Sequence, residues 1–168
     1  MSSIKDKVLA LQSLLSGKIE NAPAFVASDK VHAWEILKNS PGTCKIAVGF
    51  EGEKARVNFP GGDITGRANQ NLYAIISRGR GLALNRSDNL VSGAGGGSPL
   101  FDLAEQMRNQ MRLVRFDAQT DEVPDYVSLD DWGMEMIFTG TLIDAFICRI
   151  WVGTQLPLAA TTGNNEPQ

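Results

Sequence analysis

The residues with the clearest capacity for chemistry are three arginines. Arg78, Arg80 and Arg86 fall within "SRGRGLALNR", residues 77–86. A guanidinium presents a rigid fork of donors, so three of them on one polar connection could grip a phosphate backbone or the acids of a neighbouring subunit. The plainer reading is that they keep a long loop solvated. No aromatic residue is interleaved with them, which counts against stacking on single-stranded nucleic acid.

A second candidate is the glycine-rich "SGAGGGSP", residues 92–99, which runs into an amphipathic stretch. A phosphate-cradling loop of the P-loop kind ends in lysine and a hydroxyl and follows a strand. Here the lysine is missing, "LNRSDNLV" is a poor strand, and the Rossmann glycine spacing is absent. The same residues read as a helix start: Ser98 as N-cap, Pro99 in the first helical position and Asp102 near the positive helix end.

The acids Asp117, Asp121, Glu122, Asp125, Asp130 and Asp131 raise the question of a metal. Calcium loops alternate carboxylates tightly around a fixed glycine, and this spacing does not match, so a solvated loop is the expectation. His32 is the sole histidine and Cys44 and Cys148 the sole cysteines. That leaves little from which to build a zinc site or a nucleophilic triad, and the two thiols read as buried and reduced. No metal, cofactor or catalytic set is expected, and the sequence does not read as that of an enzyme.

Net charge is −3, which argues against general affinity for nucleic acid or anionic membrane. No stretch reaches the roughly 18 apolar residues of a membrane span, and the N-terminal segment reads as neither signal peptide nor anchor. The charge is unevenly placed. Residues 1–116 carry 15 Lys/Arg against 10 Asp/Glu, a balance of +5, whereas residues 117–168 carry Arg149 against 9 acids, a balance of −8. Such asymmetry can be two solvated faces, or copies packing basic surface against acidic surface.

The elements that must position these groups follow from periodicity. Ile4, Val8, Leu11 and Leu15 define a helix started by Ser2 or Ser3 and stopped by Gly17, with Lys5, Asp6, Lys7 and Gln12 between the apolar positions. A second helix is predicted from Asp29 to about Lys38, capped by Ser28 or Asp29, with Val31, Trp34 and Leu37 as its apolar side and His32 at the surface. "CKIAVGF" (44–50) reads as a strand followed by a turn at "EGEK". "NFPGGDITGRANQ" holds too many breakers for regular structure. "NLYAIISRG" (71–79) is a second strand, with Leu72, Ala74 and Ile76 opposite Tyr73, Ile75 and Ser77.

A long polar connection then leads to a helix striped by Leu100, Leu103, Met107 and Met111 and widened by Ala104 and Val114. Two strands close the pattern, "DWGMEMIFTGT" (131–141) and "DAFICRIWVGTQL" (144–156). The second is bulky on both faces and belongs inside the sheet. This order predicts one α+β domain over 1–156, a largely antiparallel sheet with helices packed on one side, and a disordered tail over 157–168.

The layout as a whole resembles the tail-terminator (tail-completion) proteins of long-tailed bacteriophages. The stretches that carry the likeness are "IKDKVLALQSLL", "LYAIISRGRGLAL", "PLFDLAEQMRNQMRLVRF" and "GTLIDAFICRIWVGTQLP". The resemblance implies an antiparallel sheet flanked by helices. It also implies a homohexameric ring that sits on the last tail-tube ring, stops growth, docks the head connector and lets DNA pass through. Its partners would be copies of itself, the tail-tube protein and the connector, and its location the virion neck. It brings no catalytic residues. The candidate interface residues are Arg78, Arg80, Arg86, Asp130 and Asp131. The alternatives are another neck or tail-tube component, or a non-viral adaptor module.

Overall fold

In chain order the elements are α1 (Ile4–Leu15), β1 (Ala24–Val26), α2 (Lys30–Lys38), β2 (Cys44–Asn58), β3 (Thr65–Gly79), a π-helical turn (Asp88–Ser92), α3 (Leu100–Met111), β4 (Tyr126–Ile137) and β5 (Ile143–Gln155). They come from a computed structural model that describes residues 3–38, 43–58, 65–80, 85–93, 97–112, 114, 126–137 and 143–155. The expected tail over 157–168 and the acids Asp117, Asp121, Glu122 and Asp125 lie outside them.

The strands form one sheet in the order β1-β2-β3-β5-β4. Only β1 is parallel to its neighbour; every other pairing is antiparallel. The α+β class and the largely antiparallel sheet are therefore as the periodicity predicts. β5 is flanked on both sides, by β3 and β4, which is why it needs bulky side chains on both faces.

Alternation along the strands divides the core in two. Ile46, Val48, Leu72, Ala74, Ile76, Phe146, Cys148, Ile150 and Val152 face one way and bury against Val8, Leu11 and Leu15 of α1 and Leu100, Leu103, Met107 and Met111 of α3. Ala47, Tyr73, Ile75, Ala145 and Ile147 face the other way and pack on Ala33 and Leu37 of α2. α1 and α3 thus share one face, whereas α2 packs on the opposite one, so the expectation of helices on one side only is corrected: Ala33 and Leu37 are needed to cover Tyr73, Ile75 and Ile147 there.

Local chemistry sets the helix ends. Ser3 caps α1 reciprocally with Asp6: the Asp6 amide donates to Ser3 Oγ at 3.1 Å, and the Ser3 amide donates to Asp6 Oδ2 at 3.2 Å. Gly17, at φ +72, ends it. Asp29 starts α2 by accepting the His32 amide at 2.8 Å. His32 is half-buried, its Nδ1 accepting from the Ser28 amide at 3.0 Å. At α3 the expected cap is displaced: Pro99 is the N-cap residue and no side chain caps the turn. The Ser98 amide donates instead to Glu20 Oε1 at 2.7 Å.

Several sequence expectations are corrected. "EGEK" is no turn; β2 runs through it, absorbing one extra residue as a bulge between Phe50 and Gly52. The breaker-rich "NFPGGDITGRANQ" contributes Asn58 to β2 and residues 65–70 to β3, because pairing with β2 on one side and β5 on the other outweighs weak local preference. β4 begins at Tyr126, five residues before the expected start, and the expected strand's Phe138 to Thr141 lie outside the described residues. Val31 faces out at 69% exposure, whereas Lys7 is fully buried, its Nζ donating to Gln70 Oε1 at 2.7 Å. β1 and the π-helical turn have no counterpart in the expected order.

One contact in the second core leaves no room. A Cβ at Gly49 would lie 2.5 Å from Tyr73 Oη and 2.7 Å from Cζ, so the tyrosine ring lies directly over that glycine. At Gly52 a Cβ would meet nothing within 4 Å. Gly49→Ala should lower unfolding free energy by about 1–3 kcal/mol through overpacking, and Gly52→Ala should change it by less than about 0.5 kcal/mol. Urea titration of the two variants checks this; equal effects would contradict the packing described.

Candidate functional site

The three arginines singled out by sequence converge, but inside the chain. Arg78 is the penultimate residue of β3 and is 3% exposed, so it does not lie on a solvated loop. Its Nε donates to Asn89 Oδ1 at 2.7 Å and its Nη2 to the Asn89 carbonyl at 2.8 Å. Asn89, on the π-helical turn, is fully buried and returns Nδ2 to the Arg78 carbonyl at 3.1 Å and to Asp144 Oδ2 at 2.8 Å.

Asp144 is the centre of this junction. It is 1% exposed and stands at the start of β5. Arg80 Nε lies 3.3 Å from its Oδ2, and Arg86 Nε lies 3.2 Å from its Oδ1. Oδ1 accepts no aligned hydrogen bond among the described residues, so the Arg86 contact is ionic in character. Arg86 also reaches Met136 Sδ on β4, at 3.0 Å from Nη2. Through Arg78 Nη1, 3.4 Å from Glu20 Oε2, the junction touches the segment after α1, and Glu20 in turn holds Ser98 ahead of α3. Burial of such a charge is tolerated only when partners surround it.

A second row of charge crosses the face that carries α2. Glu51, the bulge residue of β2, accepts from Arg149 Nε at 2.9 Å and Asn71 Nδ2 at 3.1 Å, and it pairs with Lys30 of α2. Arg149 Nη1 stands 3.5 Å from Glu135 Oε1 on β4. Four strands are thereby joined by side chains as well as by ladder bonds. Burial pushes the Glu51 carboxyl up, but the hydrogen bonds and charges of Lys30 and Arg149 outweigh it and hold its pKa below the ordinary value. Beside this row Tyr73 is raised by burial and by the charges of Glu51 and Asp29.

Asp130 and Asp131 lie on β4 within a break in its register. Leu129 is opposite Ile150 and Met134 opposite Cys148, so residues 130–133 loop out against Arg149 alone, with Gly133 at φ +63. The side chains of the two acids lie outside the described residues. Cys44 and Cys148 are both buried and reduced. Burial pushes the Cys44 thiol up to about 12, with Arg78 lowering it and Glu20 raising it, so its thiolate is scarce at neutral pH.

No family model matches this chain, and no curated protein matches it. Among the described residues no cluster of His, Cys, Asp or Glu is arranged to hold a metal, and no helix is long and apolar enough to cross a membrane. Both charged clusters join segments of one chain, and both pair a residue of the basic part with one of the acidic part. Asn89, Asp144, Glu20, Glu51 and Arg149 were not singled out by sequence. The available signal was Asp144 itself, an acid opening the apolar run "AFICRIWV".

Asp144→Ala leaves two guanidiniums without their buried partner and should cost about 3–5 kcal/mol in unfolding free energy. Arg80→Ala, at a side chain 23% exposed, should cost less. Chemical denaturation of both variants ranks them; an Asp144→Ala effect no larger than that of Arg80→Ala would contradict the hub role.

The pH dependence of Glu51 has a definite sign. Its folded pKa is depressed below 4.5, so its contribution is present above that value and is lost as pH falls through the lowered folded value. Wild type should therefore lose more stability on acidification below about pH 4.5 than Glu51→Gln, which lacks the contribution throughout. Thermal melts from pH 7 to pH 3 compare the two slopes.

Proposed function

We propose that this chain is a structural ring subunit with the role of a phage tail terminator, closing the tail tube and offering a face to the head connector. The observation that carries this reading is the length of the sheet relative to its helices. β2 and β3 pair without interruption, apart from one bulge, from Cys44 opposite Arg78 to Asn58 opposite Thr65. At about 3.3 Å per residue these 15-residue strands span about 50 Å, whereas the 12-residue α1 and α3 span about 18 Å each. β5 accompanies them as far as Gln155 opposite Arg67. A ribbon that outruns its helices gains stability from a further layer, and neighbouring copies in a ring supply one.

The layout supports the same reading. A largely antiparallel sheet with helices around it is also what the resemblance to tail terminators implies. Glu51, Arg149 and Glu135 tie β2, β5 and β4 together, which suits a rigid building block. The uneven charge supports ring closure less than its raw totals suggest. Arg80 and Arg86 meet Asp144, and Glu51 meets Arg149, within one copy.

Native mass spectrometry across a concentration range tests the reading. A discrete hexamer that does not grow is expected. Open-ended stacking would favour a tube component, and a strict one-to-one complex with a different protein, without self-association, would favour an adaptor.

A further inference from the structure

The two faces of the sheet are covered very differently. α1 and α3 bury four and five of their residues on one face, whereas α2 buries only Ala33 and Leu37 on the other. Trp34 and Ile36 add partly buried edges, and Val31 points into solvent. A nine-residue helix has little stability of its own in water, so α2 stays formed through this thin contact with the sheet.

What lies beneath α2 weakens its hold further. Tyr73 is 1% exposed and packs in the same cluster as Ala33 and Leu37, yet its Oη has no hydrogen-bond partner among the described residues. Ser77 Oγ, on the same side of β3 and fully buried, has none there either. A hydroxyl shut away without a partner costs free energy that it recovers once water reaches it. Lifting α2 exposes apolar surface but returns the Tyr73 hydroxyl to solvent, and the two effects oppose each other.

The polar ties of α2 are few and run to one strand. At its start the half-exposed Lys30 pairs with Glu51 of β2. Near its end the Lys45 Nζ of β2 donates to the Ile36 carbonyl at a long 3.4 Å. The chain is anchored on either side of the helix: the Ala27 amide donates to the Val48 carbonyl at 2.9 Å, and Cys44 opens β2 opposite Arg78. α2 lies between these two fixed points, and lifting it breaks no bond of the β-ladder.

We propose that α2 is a hinged cover that lifts from the folded sheet as a unit and bares Tyr73, Ile75 and Ile147, with the Lys30–Glu51 pair as its latch. This device does not depend on the ring reading.

Hydrogen exchange of the full chain, followed residue by residue at pH 7 from zero to low urea, tests it. The amides of α2 from Ala33 to Lys38 are expected to exchange roughly tenfold or more faster than the slowest amides of α1, α3 and β3. Their rates should barely respond to urea, because a local opening exposes little surface, whereas amides released only by global unfolding accelerate steeply. Lys30→Glu sets like charges against each other at the latch and is expected to speed α2 exchange about threefold. Tyr73→Phe removes the stranded hydroxyl, keeps the ring over Gly49 and is expected to slow α2 exchange about threefold or more. Circular dichroism establishes that both variants are folded; should Lys30→Glu not fold, Lys30→Met serves in its place. α2 amides that share the rate and urea response of the strands overturn the proposal, since α2 would then open only with the whole molecule. Local exchange that neither variant alters overturns the latch and the part given to Tyr73.

Discussion

The buried carboxylate of Asp144 is the constraint on which the polar end of this structure depends. A charge at 1% exposure cannot be left to water, so Asn89, Arg80 and Arg86 must be brought to it. That requirement fixes how the chain leaves β3, where the π-helical turn sits and where β5 begins. Arg78 extends the constraint to Glu20, and Glu20 to the Ser98 amide ahead of α3. Segments far apart in sequence are thereby held at one end of the sheet by a network in which each member satisfies its neighbours. The glycine-rich stretch before α3 is bridged by this network, since Asn89 precedes it and Ser98 follows it.

The row through Glu51 does comparable work on the face that carries α2, at the point where β2 gains an extra residue. The bulge turns Glu51 toward Arg149 and Asn71, and Lys30 brings the start of α2 to the same carboxylate. Apolar packing of Ala33 and Leu37 covers one part of that face, and the charged row continues beyond it. Glu51, Arg149, Lys30 and Glu135 are thereby committed to ties within one chain.

Much of this was legible in the sequence where local pattern decides. The 4-3-4 spacing of Ile4, Val8, Leu11 and Leu15 produces α1, and the two-residue alternation in "AFICRIWV" produces a strand flanked on both sides. What stayed hidden depends on partners distant in the chain. Lys7 reads as a solvated position until Gln70 arrives from β3 to accept its proton donors. β1 is too short to signal itself and exists because β2 and two side chains from the end of α1 hold it. Arg78 looks like the start of a polar loop, and only the return of Asn89 turns it into a buried strand end. Composition identified the arginines as notable but could not say that their acid is Asp144 of the same chain, because that pairing spans more than fifty residues.

The arginine junction is closed within one chain, so it should persist unchanged in any assembly of copies. A cryo-electron microscopy reconstruction of the assembled particle tests this most directly. Arg78, Arg80 and Arg86 are expected to hold Asn89, Glu20 and Asp144 of their own chain in the ring. Arginines turned outward onto acids of the adjacent copy would contradict this arrangement.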